Sequence, residues 1–389
     1  MENKERALAH VEKIEWIRPI EGADNIELIG VLGWVCIAKK GEFNVGDMAV
    51  YIEIDSKCPE TDERFSFLAN KKFKVKTMKL GKFKVISQGL ALPLSLFPEL
   101  QDKNIGDDVT EALKITYASE EDAARKTNKI NPNAKYKSMA KRRPKLFANP
   151  IVRRIMRYSI GRKIMFLLFG RKKDNPKKFP DWIVKTDETR IENAPFYLQS
   201  TEKWIKTEKC DGTSCTFAVD RLKNGKNKFD FIVCSRNVRQ ADREQACYHD
   251  SNIYWELADK YDIEKILTQF ATENNYNRVV LQGEGVGSVQ GNPYKFTENK
   301  LFVFNLIIDG TRLGTVEMAD FCKKHGLTSV PVIDTAYELP KTMEEMKLEA
   351  DGYSELNPKV KREGFVYRDI SGQKSFKNVS REYLLKKGE

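Results

Sequence analysis

The sequence predicts an α+β protein, with a small β-barrel placed before a larger mixed domain built mainly on antiparallel strands. Three observations carry this. Short apolar runs punctuated by glycine crowd the first 115 residues. A polar, strongly basic stretch follows. Beyond about residue 179, strand-like runs alternate with helical patterns. At 389 residues the chain is long enough for two domains and at least one sizeable core.

In the front part, "ALAHVEKIEWIRPI" and "IELIGVLGWVCIAKK" read as strands around the turn-like Gly22-Ala23-Asp24-Asn25. "VGDMAVYIEIDS", "FKVKTMKLGKFKVIS" and "GLALPLSLF" complete a closed barrel over residues 1–115. Lysines and phenylalanines interleave in "KKFKVKTMKLGKFK". That pattern suits a groove that tracks a nucleic-acid backbone and stacks bases. It equally suits an edge strand protected by lysines.

Residues 116–178 read as a basic connector. Its first half, "ASEEDAARKTNKINPNAKYKSMAKRRPK", is polar and expected to be mobile. "NPIVRRIMRYSIGRKIMFLLFGRKK" has an apolar face and many arginines, too many for a spanning helix. Such a helix can lie on a membrane or on RNA, or pack its apolar face on its own protein.

Residues 179–389 carry the chemistry. "SCTFAVDRLKNGKNKFDFIVCSRN" predicts a hairpin turning at Asn224-Gly225. "DSNIYWELADKYDIEKILTQFATENN" predicts one or two helices capped by Ser251. "RVVLQGEGVG", "KLFVFNLIID", "REGFVYRD" and "QKSFKNVS" read as strands, with helices at "VEMADFCKKHG" and "KTMEEMKLEADG" between them.

The net charge of +11 favours a polyanionic partner, although many lysines also suit a merely soluble surface. Seven cysteines without C-x-x-C spacing read as reduced, intracellular thiols rather than a disulfide set or a zinc site. Three histidines make histidine-based catalysis a poor expectation. The start, "MENKERALAHVEKIEW", shows no apolar leader.

Charged residues interrupt the later strands in a set order. Lys209 precedes an Asp211-Gly212 turn, Arg236 ends a strand, and Glu284 lies between glycines. Glu363 opens "EGFVYR", and Lys374 and Lys377 lie in "KSFK". A deprotonated lysine amine can attack the α-phosphorus of a nucleotide, and desolvation or a neighbouring cation favours that form. Glutamates offer hard oxygen ligands to Mg²⁺. Lysine and arginine stabilise charge during phosphoryl transfer. Phe304 suits purine stacking, though its strand pattern also suits the core. Each residue alone has a bland reading as a solvated charge.

Together, "KCDG", "SRN", "GEG", "FVFN", "EGFV" and "SFK" resemble the ordered motifs I, Ia, III, IIIa, IV and V of the covalent nucleotidyltransferases, which comprise DNA ligases, RNA ligases and capping enzymes. "FPDWIVKTDETRIENAP" also resembles RNA ligases. "IRPIEGADNIELIGVLGWVCIAKKGEFNVGDMAVYIEIDS" and "SQGLALPL" resemble the N-terminal OB module of the Deinococcus and Naegleria type of RNA ligase. The resemblance implies an OB-like barrel followed by an ATP-grasp-like nucleotidyltransferase domain.

It also implies roles. Lys209 would take up AMP, with Glu208, Asp211, Gly212 and Arg236 around the nucleotide. Glu284 would lie near the ribose and Glu363 near the metal, with Asp211 orienting metal-bound water. Glu363, Glu284 and Asp211 are thus the expected metal residues. Phe304 would stack on adenine, and Lys377 and, less securely aligned, Lys374 would act on phosphate. Asn305 replaces the Asp often found after the stacking aromatic, which leaves its role open.

The implied cofactors are ATP and Mg²⁺ or Mn²⁺. The implied partner is RNA or an RNA-containing nicked duplex, handled by a cytoplasmic or nuclear monomer with no membrane partner. A GTP-using capping-type enzyme is the alternative, disfavoured because only about a dozen residues follow "KSFK". A non-catalytic RNA-binding protein on the same fold is another. The barrel holds no part of the motif set, so adenylylation is expected to need only the C-terminal domain.

Overall fold

Strand β1 (Ala9–Pro19) is long because its apolar alternation continues through a bulge between Ile14 and Trp16. Its first half pairs with β4 (Met48–Ile52) and its second with β2 (Ile26–Val31), which continues into β3 (Trp34–Lys39). Strand β5 (Leu90–Pro93) completes an antiparallel sheet ordered β3-β2-β1-β4-β5. The sheet curls closed where Gln88 N donates to Val35 O (2.8 Å). This is the expected OB-like barrel. Strand β5 stops at Pro93, and the following Leu94–Leu96 is a tight helical turn rather than more strand. The computed structural model describes residues 7–118, 144–169, 177–223, 228–240 and 252–387. Residues 119–143 of the connector's polar half, the Asn224-Gly225 turn and Ser251 lie outside them.

In the lysine–phenylalanine stretch, Phe73 packs against the barrel core and Val75 is buried within it, while Lys71, Lys72, Lys76 and Lys79 are exposed. Phe83 keeps partial exposure beside Lys82 (5.0 Å from Nζ to the ring centre). One of the two aromatics is therefore spent on folding.

The basic amphipathic segment is two helices rather than one, α1 (Pro150–Met156) and α2 (Ser159–Phe169). Asn149 caps α1 by accepting from Ile151 N (2.9 Å). Tightened turns at Arg157 and Tyr158 end α1, their amides reaching back to Arg154 O and Ile155 O.

Two compact units divide the chain. The first holds residues 1–122, 187–211 and 330–389, and the second 123–186 and 212–329. Besides the barrel, the first contains β6 (Trp204–Glu208), which leads into the motif set at Lys209.

The second unit is an antiparallel sheet around β7 (Thr213–Arg221), β8 (Phe229–Cys234), β9 (Arg278–Val286) and β10 (Lys300–Ile308), in the order β8-β7-β9-β10. Helices α3 (Ile253–Lys260) and α4 (Ile263–Glu273) bury Leu257, Ile263 and Leu267 against Phe217, Val279, Leu281 and Val303. Helix α5 (Thr315–Lys324) adds Met318 and Phe321. Asn252 caps α3, with Oδ1 accepting from Tyr254 N (3.1 Å).

In the first unit β6 sits between β11 (Val332–Tyr337) and β12 (Gly364–Asp369), and β13 (Ser375–Val379) pairs with β12. Strand β11 is exposed along almost its whole length, and although Val332, Ile333, Thr335 and Tyr337 suit a strand, it lacks the apolar alternation that marks a half-buried one. Helix α6 (Met343–Ala350) covers this sheet, and the C-terminal helix α7 (Arg381–Lys387) follows β13. Tyr383, Leu384 and Val379 complete the barrel's own core with Ile14, Trp34 and Tyr51.

Candidate active site

Lys209 lies one residue past β6, and the register explains its neighbour. Glu208 pairs with Phe365, and Lys209 N donates to Gly364 O (3.0 Å), which brings Glu363 alongside. Lys209 Nζ lies 2.7 Å from Glu363 Oε1, with the side chains 27% and 14% exposed. Burial pushes the Glu363 carboxyl above its usual range, and the Asp211 charge adds to this, while Lys209 and Lys377 oppose it. These four residues thus form one coupled cluster.

Gly364 is required there. Its φ is +149°, and a Cβ would stand 2.1 Å from Asn378 O. Lys377 on β13 faces Val366 of β12, which faces Thr207 of β6. Its Nζ is held by Asp187 Oδ1 (2.7 Å), and its backbone N donates to Thr189 O (2.8 Å).

Lys374 does not join this cluster. It sits in the β12–β13 turn, exposed and paired with Glu202 (2.7 Å). From Gly364 to Asp369 the strand carries it ~16 Å from Lys209. Glu208 is also engaged elsewhere, because its buried carboxylate accepts from Ser354 Oγ and from Glu355 N (2.7 Å). Burial raises its pKa. It anchors the 354–355 loop to β6.

The remaining expected residues belong to the second unit. A Cβ on Gly212 would stand 2.4 Å from Gly285 O and 3.1 Å from Glu284 Cγ, so this turn glycine lets β7 start against Glu284. Alternation puts Glu284 on the face of Val280 and Gln282, away from the α3–α4 core. Phe304 occupies the extra position of a β-bulge opposite Gln282–Gly283 and is half-buried, while Leu301, Val303 and Leu306 fill the core. A bulge re-aims a side chain in this way. It also explains why a plain strand pattern assigns Phe304 to the core. Asn305 Nδ2 donates to Gln282 Oε1 (2.8 Å) in a buried pair, a bond that an aspartate could not supply. Arg236 lies exposed in the turn after β8.

Nothing in the sequence alone assigns a role to Asp187, Arg190 or Ser354. Asp187 and Arg190 stand in "KTDETRIENAP", a segment recognised as a whole, so its charged partners were legible only by resemblance.

Glu363 and Asp211 are hard oxygen donors whose mutual repulsion a divalent cation would relieve. Among the described residues no group of three or more His, Cys, Asp or Glu side chains is assembled around one point. Two carboxylates fit Mg²⁺ or Mn²⁺, ions that keep several waters.

A lysine at a strand end, coupled to a largely buried glutamate and a second lysine, and followed by an antiparallel sheet that carries a glutamate and a bulged aromatic, defines a covalent nucleotidyltransferase. An OB-fold domain model matches residues 8–94, and the RNA ligase family model matches residues 202–386. The chain is similar to the RNA ligase of Naegleria gruberi solved with pyrophosphate, at 30% identity, TM-score 0.73 and 98% coverage of both chains. A lysine-to-methionine variant of that ligase with AMP and manganese gives 30% identity and TM-score 0.74, covering 98% of this chain and 99% of the other. A lysine-to-alanine variant with ATP and manganese gives 29% and 0.72, covering 97% and 98%. No curated protein sequence matches. The chain belongs to the RNA ligase family.

Proposed function

We propose that the chain is an ATP-dependent RNA ligase that seals 3′-hydroxyl to 5′-phosphate ends through an AMP carried on Lys209. The observation that carries this is the Lys209–Glu363 pair (2.7 Å) with Lys377 in the same electrostatic cluster. Lys209 attacks the α-phosphorus of ATP, a nitrogen–phosphorus bond forms, and pyrophosphate leaves. A 5′-phosphate then takes the AMP. The 3′-hydroxyl attacks that activated phosphate and expels AMP.

The Glu363 carboxylate favours the ammonium form of Lys209, which is not a nucleophile. A divalent cation engaging Glu363 and Asp211 would withdraw their charge from Lys209, and a neighbouring cation favours the free amine. Bound Mg²⁺ or Mn²⁺ would supply charge neutralisation on the phosphates. Lys377, fixed by Asp187, stabilises the charge that develops as pyrophosphate departs. Phe304 stacks on the purine and Glu284 bonds the ribose, with Arg236 at phosphate. Lys374 keeps only a peripheral role, because it is paired to Glu202 at the other end of the sheet. The working form is a soluble monomer acting on RNA or an RNA-containing nicked duplex.

The test is incubation with α-labelled ATP or GTP and Mg²⁺, then denaturing electrophoresis and sealing of a nicked RNA duplex. Labelling by ATP together with sealing is expected. Labelling by GTP alone would make this a capping-type enzyme, and no labelling would leave an RNA-binding protein on a ligase fold.

A further inference from the structure

The positive charge of the chain is not spread over it. Residues 123–173 contain seventeen Lys and Arg and no Asp or Glu. That leaves 50 Lys and Arg against 56 Asp and Glu elsewhere, a net charge of −6 for the rest of the protein. The nucleotide chemistry uses none of this segment.

Its described part repeats itself. Residues 151–156 read I-V-R-R-I-M and residues 160–165 read I-G-R-K-I-M. The two copies fold alike. Met156 and Met165 are buried with Phe147 in a small core of their own. Gly161 lets α2 touch α1, since a Cβ there would stand 2.1 Å from Ile155 O. The isoleucines do the opposite. Ile151, Ile155, Ile160, Ile164 and Leu168 are between 39% and 73% exposed. Ile160, Ile164 and Leu168 recur every fourth residue, so they form one stripe along α2, and Ile151 and Ile155 form its counterpart on α1. Arg154 and Lys163 flank the two stripes at equivalent positions and are exposed, as are Arg153, Arg157 and Arg162.

We propose that α1 and α2 dock the protein on an anionic membrane surface. Aliphatic rows flanked by cations match the boundary between acyl chains and acidic headgroups, where the rows sink ~5–10 Å and the cations meet phosphate or carboxylate. RNA would satisfy the cations but would leave five aliphatic side chains in water. The same face of a second copy would oppose two basic surfaces, since residues 144–169 contain no Asp or Glu to pair them. No described helix is long and apolar enough to cross a bilayer, so the pair lies on the surface. The inference reverses the expectation of no membrane partner. It is independent of the ligase reading.

The test is sedimentation of the full chain with vesicles of phosphatidylcholine alone, or with about one-third phosphatidylserine. Binding to the anionic vesicles should exceed binding to the neutral ones by at least ~tenfold and weaken with salt. Ile151→Ser/Ile155→Ser/Ile160→Ser/Ile164→Ser keeps every charge and touches only exposed side chains. It should lose at least ~tenfold in vesicle binding while nick sealing and the circular dichroism spectrum stay unchanged. Equal binding by that variant would overturn the proposal, because bare charge attraction would then suffice. No vesicle binding by the parent chain would overturn it too. So would a fall in RNA affinity of the variant without a fall in vesicle binding, or a parent dimer that the variant abolishes.

Discussion

Two lysines three residues apart on one hairpin have different fates, and the register decides between them. Lys377 is held by Asp187 beside the Lys209–Glu363 pair, whereas Lys374 is an exposed partner of Glu202. Lys377→Ala should lower adenylylation by ~100-fold, about 3 kcal/mol for a lost transition-state donor. Lys374→Ala should change it less than ~twofold, because exposed pairs contribute little. Single-turnover labelling with ATP checks both. His10 offers a separate test of the barrel. Burial alone would lower its pKa, but hydrogen bonds to Glu12 (2.8 Å) and Glu53 (3.5 Å) outweigh that and raise it to about 9. A raised histidine pKa contributes stability that is full below about 6.5 and is lost as pH rises through about 9. Denaturant titration should show ~2–3 kcal/mol lost across that window, and His10→Gln should flatten the profile. At this scale the motif residues were legible because their types and order are chemical requirements. The partners that fix them, Asp187 and Ser354, were not, since a polar residue in a loop does not reveal what folds against it.

Among the elements, the segment just before β6 ties barrel to site. Arg190 donates to Asp55 (3.0 Å), Asn193 donates to Glu53 and accepts from Trp34 Nε1 (2.5 Å), and Gly33 N donates to Glu192 O (2.8 Å). Arg190 also forms a parallel bridge with Lys377. Arg190 and Asp55 are both largely buried, so Asp55→Ala leaves an uncompensated guanidinium at a cost of ~3–5 kcal/mol. Thermal unfolding should show that loss, and labelling by ATP should fall with it although Asp55 lies in the barrel. Strands with apolar alternation, such as β1, β7 and β9, could be read directly. Exposed β11 could not, because it is strand only through pairing with β6. The amphipathic segment read as one helix because its periodicity runs on through the Arg157–Tyr158 turn.

For the whole molecule, barrel and C-terminus share one core. Val379, Tyr383 and Leu384 fill the space beside Trp34 and Tyr51. Composition and periodicity forecast two folded regions but not this sharing, since contacts between distant segments leave no local pattern. Removing residues 1–115 would expose Tyr383 and Leu384, at ~1.5–3 kcal/mol each, and release residues 190–193. Against the expectation of an independent C-terminal domain, a chain starting near Lys178 should lose labelling by ATP as well as nick sealing, and its lowered melting temperature should show why. The central claim is that Lys209 is the nucleophile, and Lys209→Ala tests it most directly on two nicked RNA substrates. With a plain 5′-phosphate the variant should neither acquire AMP nor seal. With a strand already adenylylated it should still seal, because that step needs no lysine nucleophile. An AMP adduct on the variant, or equal loss on both substrates in a folded protein, would contradict the account.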